Sequence, residues 1–142
     1  MPVIEQNVAE GVLGRGGIAV ARGDYSFAVD GGAVGTIPLI GATAIPSGAT
    51  ILGGFLEVVT PPTSGGAATI ALSVEGAGDL VAAAAISGAP WSTVGRKSII
   101  PVFTGATMIR TTAARDISAV VATAALTAGA FKVFLFYLPP SA

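Results

Sequence analysis

The side chains of this sequence that could carry out acid–base chemistry or bind a metal are its eight carboxylates, because it contains no His and no Cys. Paired carboxylates can hydrolyse glycosidic bonds, and Glu75 and Asp79 flank one predicted loop at a spacing that permits such a pair. The other acids that an enzyme or carbohydrate-binding module could use are Glu57 and Asp116. No set of acids has the spacing of a calcium loop. A chain of 142 residues with one Trp offers little from which to build a sugar cleft. We therefore predict that the protein is not an enzyme and binds no cofactor or metal.

The missing residue types exclude several classes of site. Without His or Cys, the chain has no zinc site of the usual kind, no thiol nucleophile, no imidazole base and no disulfide. Residues 88–98 end in Gly-Arg-Lys-Ser, but Arg96 stands between Gly95 and Lys97, so they do not match a phosphate-binding loop. Arg22-Gly23-Asp24 matches an integrin-recognition tripeptide, and Gly-Asp is also ordinary turn chemistry. We predict a turn there.

One loop has the residue types of a contact surface. Residues 88–97 carry the only Trp of the chain, Trp91, and its only adjacent basic pair, Arg96 and Lys97. Trp and Arg are enriched where proteins bind one another, so the loop is predicted to contact a partner. The alternative is a Trp packed over the end of a β-sandwich, with the basic pair in solvent.

The charge content indicates a surface that is largely covered by other chains. Only 11% of the residues are charged, 52% are hydrophobic and the net charge is −1. Such a balance provides no basic field for nucleic acid and favours association. The mean hydropathy is high, at +0.80. However, Pro38 and Pro46 interrupt the uncharged stretch 31–56, and the start of the chain lacks the pattern of a signal peptide. We therefore predict a homo-oligomer, with no membrane or nucleic acid as partner.

The spacing of apolar residues predicts an all-β fold. Gly and Pro recur every few residues and separate runs of strand length, as in a single-domain antiparallel β-sandwich or barrel of the jelly-roll or Greek-key kind. Residues 68–75 alternate cleanly, whereas residues 131–138 are apolar on both faces. Such a strand is either central in a sandwich or covered by a neighbouring chain. Residues 61–66 and 126–129 are predicted hairpin turns. Residues 80–86 could form a short helix instead of a strand. The predicted strands are 17–22, 24–30, 34–40, 50–60, 67–75, 80–86, 106–112, 116–124 and 129–138.

The first sixteen residues differ from the rest. They contain the only Gln and Asn and are rich in Gly, which predicts an extended arm (1–16) preceding the β-sandwich domain (17–142). Such arms often become ordered against a neighbouring chain, and Ile4, Val8 and Val12 are its predicted contact residues. A frayed terminus is the alternative.

Three segments carry a resemblance to a known class of protein. They are residues 45–58 (IPSGATILGGFLEV), 88–92 (GAPWS) and 126–138 (LTAGAFKVFLFYL). Together they resemble small structural proteins of tailed bacteriophages, of the head-decoration (capsid cement) or minor-capsid kind. The resemblance implies a β-sandwich on the capsid exterior, often a trimer, that binds between major capsid protein subunits. It also implies that a terminal arm contacts the shell, and it brings no catalytic residues. A tail or fibre module for host recognition and a small carbohydrate-binding module are the alternatives.

Overall fold

The computed structural model describes residues 17–39 and 44–140, and their regular secondary structure is almost entirely β-strand. A single short helix, α1 (Phe27–Asp30), lies within the described ranges. No helix in these ranges is long and apolar enough to cross a membrane. The strands are β1 (Ala19–Ser26), β2 (Gly35–Pro38), β3 (Thr50–Ser64), β4 (Thr69–Ser73), β5 (Val81–Ala85), β6 (Gly95–Ser98), β7 (Ile109–Arg110), β8 (Ser118–Ala122) and β9 (Leu126–Leu138).

The strands form two antiparallel sheets. Sheet I has the order β1-β9-β3-β6, and β7 pairs with the start of β3. Sheet II has the order β2-β8-β4-β5. The predicted all-β antiparallel sandwich is therefore confirmed. The longest strands, β3 and β9, pair with each other at the centre of sheet I and provide its rigid platform.

The core lies between the sheets because alternate side chains of each strand point inward. Along β9, Phe131, Val133 and Leu135 are buried, while the intervening residues are partly or fully exposed. The ring of Phe131 stacks on Tyr25 at 4.9 Å and packs against Trp91 at 4.9 Å between centroids. These three aromatic residues join β1, β9 and the loop before β6 in one cluster.

The start of the described chain differs from prediction. The two strands expected at 17–22 and 24–30 are one strand, β1, which continues unbroken through Gly23 and is followed by the helical turn α1. The Asp30 carboxylate accepts a hydrogen bond from the Ser26 N–H at 2.9 Å, and the Tyr25 hydroxyl donates to the Gly31 carbonyl at 2.6 Å. These bonds stabilise the turn after β1, so the strand ends at Ser26 and not at the turn predicted at Gly23-Asp24.

Both predicted hairpin turns are wrong. Residues 61–64 continue β3, and residues 126–129 are the first part of β9, because the two segments pair with each other. The strands that follow β3 and precede β9 lie in sheet II. Pro61 and Pro62 stand opposite the single residue Gly129 between the pairs Thr60↔Ala130 and Thr63↔Ala128. This bulge accommodates the two prolines, which cannot donate ladder hydrogen bonds.

The remaining strand predictions hold with altered lengths. Residues 81–85 form a strand rather than the alternative helix. The segment predicted at 106–112 contributes only the two residues of β7. Strand β6 was not predicted, because Gly-Arg-Lys-Ser has no apolar alternation. It forms because its backbone pairs with residues 55–58 of β3.

Candidate functional site

Five of the carboxylates make separate local contacts rather than one cluster; they are Asp24, Asp30, Glu57, Glu75 and Asp79. Within the described ranges, no group of three or more acids could hold a metal ion. Both oxygens of Asp79 accept backbone hydrogen bonds from Val74, Glu75 and Gly76, at 2.7 to 3.0 Å. Asp79 therefore closes the loop after β4. Glu5 and Glu10 lie outside the described residues.

Glu75 has the opposite electrostatics to a general acid. Hydrogen bonds from Arg115 and then from Thr112 lower the pKa of its carboxyl to about 2. A glycosidase acid needs a raised pKa, so that it still carries a proton near neutral pH. The geometry of Glu75 and Asp79 is that of structural ligands for neighbouring backbone and guanidinium groups.

The Arg22-Gly23-Asp24 tripeptide lies in a strand, which corrects the predicted turn. All three residues pair with β9. The Arg22 guanidinium donates to both oxygens of Asp24, at 2.9 and 2.8 Å. A Cβ on Gly23 would lie 2.9 Å from the Cβ of Leu39, so this close approach requires glycine.

The predicted contact loop divides into a buried and an exposed part. Trp91 is fully buried against Phe131, so its side chain belongs to the core and cannot meet a partner, contrary to the prediction. Arg96 is exposed, and Lys97 donates to the Thr93 hydroxyl at 2.6 Å. The structure therefore keeps the basic pair accessible on β6. The predicted arm contacts Ile4, Val8 and Val12 lie outside the described residues.

An apolar surface that none of the sequence motifs predicted lies on the outside of sheet I. The apolar outward side chains of its three adjacent strands β1, β9 and β3 form what we call the aromatic face, and the charged residues Asp24, Lys132 and Glu57 lie in register beside it on the same side of the sheet. Phe55 stacks on its cross-strand neighbour Phe134 with 4.8 Å between centroids, and Phe136 lies 6.3 Å from Phe55. The face consists of Val20, Phe55, Phe134, Phe136 and Leu138.

The aromatic face is accessible to solvent. Val20 is 54% exposed, Phe136 is 37% exposed and Leu138 is 36% exposed. Phe55 and Phe134 are half-buried. Adjacent exposed apolar side chains make this face a candidate interaction surface. The sequence contained one signal for it, since residues 131–138 are apolar on both faces.

Two arginines flank this face from the edge strands of sheet I. The guanidinium of Arg22 in β1 lies 5.6 Å from the centre of the Phe134 ring, and that of Arg96 in β6 lies 5.4 Å from the centre of the Phe55 ring. Each arginine also pairs with an acid, Asp24 at 2.8 Å and Glu57 at 3.4 Å. An aromatic centre with cationic neighbours has the composition of a protein-binding hot spot.

With the two sheets and the aromatic face defined, the architecture can be compared with known proteins. The fold is shared with chains of three bacteriophage capsids. A chain of the acid-stable capsid of Helicobacter pylori bacteriophage KHP30 matches with a TM-score of 0.60 and 17% identity, over 87% of this chain and 89% of that one. A chain of the cyanophage Pam1 capsid asymmetric unit matches with a TM-score of 0.59 and 21% identity, over 87% and 85%.

The third match is a chain of the capsid of Ralstonia phage GP4, with a TM-score of 0.60 and 20% identity, over 89% of this chain and 87% of that one. No protein-family model matches the sequence, and no curated protein matches it significantly. The resemblance to capsid-related phage structural proteins that the sequence suggested is thus confirmed at the level of the fold, which spans nearly the whole of each chain.

Proposed function

We propose that this protein is a bacteriophage virion structural protein that decorates and stabilises the capsid by binding between major capsid protein subunits as a homo-oligomer. The observation that carries the proposal is the fold shared with chains of three phage capsids over at least 85% of each chain. The local structural contacts of Glu75 and Asp79 agree with a passive binding role.

In this proposal, the aromatic face is the surface of the protein that binds the shell. Fully burying an exposed large apolar side chain contributes about 1.5–3 kcal/mol. The five side chains here are already partly buried, so covering each of them contributes only a part of that amount. Arg22 and Arg96 would then meet polar or acidic groups at the rim of the contact. Binding to the assembled shell and not to its separated subunits stabilises the particle by mass action.

Two further contacts complete the proposal. The arm at residues 1–16, through Ile4, Val8 and Val12, engages the shell beside the domain. Arg96, on the edge strand β6, adds charge to the same contact, whereas Lys97 lies on the opposite side of that strand, because it pairs with the buried Leu56. The protein is placed on the capsid exterior, where such an arm can reach neighbouring subunits.

Binding to shells tests the proposal. Capsid shells from particles that lack this protein are mixed with increasing amounts of it and sedimented, and we expect saturable binding that raises the temperature at which the shells disrupt. Phe136→Asp places a charge on the aromatic face and should abolish binding. Val34→Asp is the matched control, because Val34 is 57% exposed and precedes β2 of the other sheet.

Three results would contradict the proposal. They are a wild-type protein that does not bind shells, electron microscopy of labelled particles that shows it on the tail or fibres, and specific binding to glycans without affinity for shells. The last two would favour the host-recognition and carbohydrate-binding alternatives respectively.

A further inference from the structure

The loop between β6 and β7 presents an exposed aromatic side chain at its tip. Phe103 is 77% exposed, and its neighbours Val102 and Ile100 are 47% and 43% exposed. A single exposed apolar residue is ordinary on a protein surface, but three within four positions of one loop are not. The loop lies outside the aromatic face described above.

Side-chain hydrogen bonds hold this tip in place. The Thr107 hydroxyl accepts from the Val102 N–H at 3.0 Å and donates to the Val102 carbonyl at 2.9 Å. The Thr104 hydroxyl lies 2.9 Å from that of Thr107. The turn that carries Phe103 is thus closed by its own side chains, and the ring is held away from the body of the domain. A side chain fixed before binding loses less conformational entropy on binding.

An apolar groove lies beside the base of the same loop. It has a volume of about 380 Å³, and its lining includes Val81, Ala82, Pro90, Ile99 and Ile100. None of its lining residues is charged. The groove runs between β5, an edge of sheet II, and the end of β6, an edge of sheet I, where the Ile100 N–H donates to the Leu80 carbonyl at 2.8 Å.

We propose that Phe103 of one copy of this chain inserts into this groove of the next copy. The inference rests on the homo-oligomer in the proposed function and names its contact. The groove is shallow and open to solvent, and its lining is mainly apolar, so a phenyl ring from a neighbouring copy can lie against it. Both surfaces are uncharged, so the contact desolvates no ion. The ring does not fill the groove of its own chain, since most of it is exposed to solvent.

In the proposed contact, which is heterologous, each copy gives its knob to the next copy and offers its groove to the previous one. Heterologous contacts close into rings when the rotation between copies is a whole fraction of a turn. Ile100 lines the groove and Phe103 follows three positions later, so the knob and the groove lie in the same region of the domain. In a closed ring such as a trimer, with this region of each copy around the symmetry axis, every knob occupies the groove of a neighbouring copy.

Two charge substitutions at exposed positions test the contact by light scattering after size-exclusion chromatography. We expect the wild type to be a closed oligomer and both Phe103→Asp and Ala82→Asp to be monomers. Val34→Asp, at an exposed site in the other part of the chain, should keep the wild-type mass. Circular dichroism and thermal unfolding show that the variants are folded, and Phe103→Ala repeats the test without a buried charge.

Mixing the two variants gives the decisive result. Phe103→Asp retains an intact groove and Ala82→Asp retains an intact knob, so an equimolar mixture should form heterodimers that cannot grow further. A monomeric wild type, an oligomer that Phe103→Asp leaves intact, or a mixture that stays monomeric would each overturn the inference.

The shell-binding assay separates this inference from the proposed function. A wild type that binds shells while Phe103→Asp remains an oligomer refutes the contact but not the virion role. An oligomer that depends on Phe103 but has no affinity for shells refutes the virion role but not the contact.

Discussion

Glu75 and Arg115 form a two-point ion pair that connects the loop after β4 to the segment before β8. The Arg115 Nε donates to Oε1 of Glu75 at 2.8 Å and its Nη2 donates to Oε2 at 3.2 Å. Thr112 adds a backbone N–H at 3.1 Å and a hydroxyl at 2.6 Å. One carboxylate therefore receives four hydrogen bonds from one short segment, which ties two loops of the sandwich together.

Stability should fall in acid because of this pair. The pKa of Glu75 is lowered from 4.5 to about 2 in the folded protein, so the folded state favours the ionised form. A lowered folded pKa contributes stability that is fully present above pH 4.5 and is lost as the pH falls toward 2. Glu75→Gln should lower the melting temperature at pH 7 and reduce its decline between pH 4.5 and 2.

Thermal unfolding at a series of pH values measures this effect. Glu57→Gln is the control, because the ion pair of Glu57 with Arg96 is longer, at 3.4 Å, and its arginine side chain is 73% exposed. Equal pH profiles for Glu75→Gln and the wild type would refute the assigned role of the pair.

The fluorescence of Trp91 should report the core and not the interfaces. It is the only Trp of the chain and is fully buried against Phe131. We expect a blue-shifted emission, little quenching by iodide, and no change of the spectrum when the protein binds shells or forms oligomers. Unfolding in guanidinium should shift the emission to the red. Strong quenching of the folded protein would instead support the contact function that the sequence predicted for Trp91.

Local periodicity predicted the strands well, whereas the pairing between strands depended on contacts distant in sequence. The strand predicted at residues 67–75 is confirmed by β4, in which Ile70 and Leu72 are buried, although Ala71 on the opposite face is buried as well. Residues 61–66 contain ordinary turn residues, but the long register between β3 and β9 keeps most of them in the strand. No pattern within a single segment contains that information.

The exposure of the candidate contact residues also depends on contacts distant in sequence. Arg96 was predicted as a contact residue because Arg is enriched in protein interfaces, and it does lie exposed on the edge strand β6. Trp91 was misplaced because the burial of an aromatic ring depends on which strand packs over it. In the sequence, Arg22 was interpreted only as part of the Arg22-Gly23-Asp24 tripeptide. The pairing of β1 with β9 is what places its guanidinium over the Phe134 ring, beside the aromatic face.

Glycine should be essential at position 129 for two separable reasons. Gly129 has φ of +138°, and an added Cβ would lie 2.9 Å from the Cα of Pro62 in the bulge. Gly129→Ala should therefore cost more than the 1–3 kcal/mol of backbone strain alone. Gly35→Ala isolates the strain, since Gly35 has φ of +135° with nothing within 4 Å of the added atom.

Chemical denaturation of this series measures the free energy of unfolding. Gly105→Ala completes it, because the added Cβ at position 105 meets nothing within 4 Å and the residue has no positive φ. We expect stability to decrease in the order Gly105→Ala, Gly35→Ala, Gly129→Ala. If Gly129→Ala is no less stable than Gly35→Ala, the close packing of Pro62 against this bulge is refuted.

Substitutions of two phenylalanines of β9 should have different effects on stability and on shell binding, because the two side chains point to opposite faces of sheet I. Phe131 is 1% exposed and contacts Tyr25 and Trp91, so Phe131→Ala should cost about 3–5 kcal/mol of unfolding free energy. Phe136 is 37% exposed, and its main aromatic neighbour is Phe55. Phe136→Ser should cost about 1 kcal/mol or less, the usual value of a cross-strand pair.

The binding of the two variants to shells should be reversed in order. Phe131→Ala, studied below its melting temperature, keeps the aromatic face and should bind with near wild-type affinity. Phe136→Ser retains the core and should bind at least tenfold more weakly, which corresponds to a loss of about 1.4 kcal/mol of binding free energy. If Phe136→Ser binds like the wild type, residue 136 does not belong to a binding surface. If it unfolds the domain, the stability cost predicted for an outward-facing Phe136 is refuted.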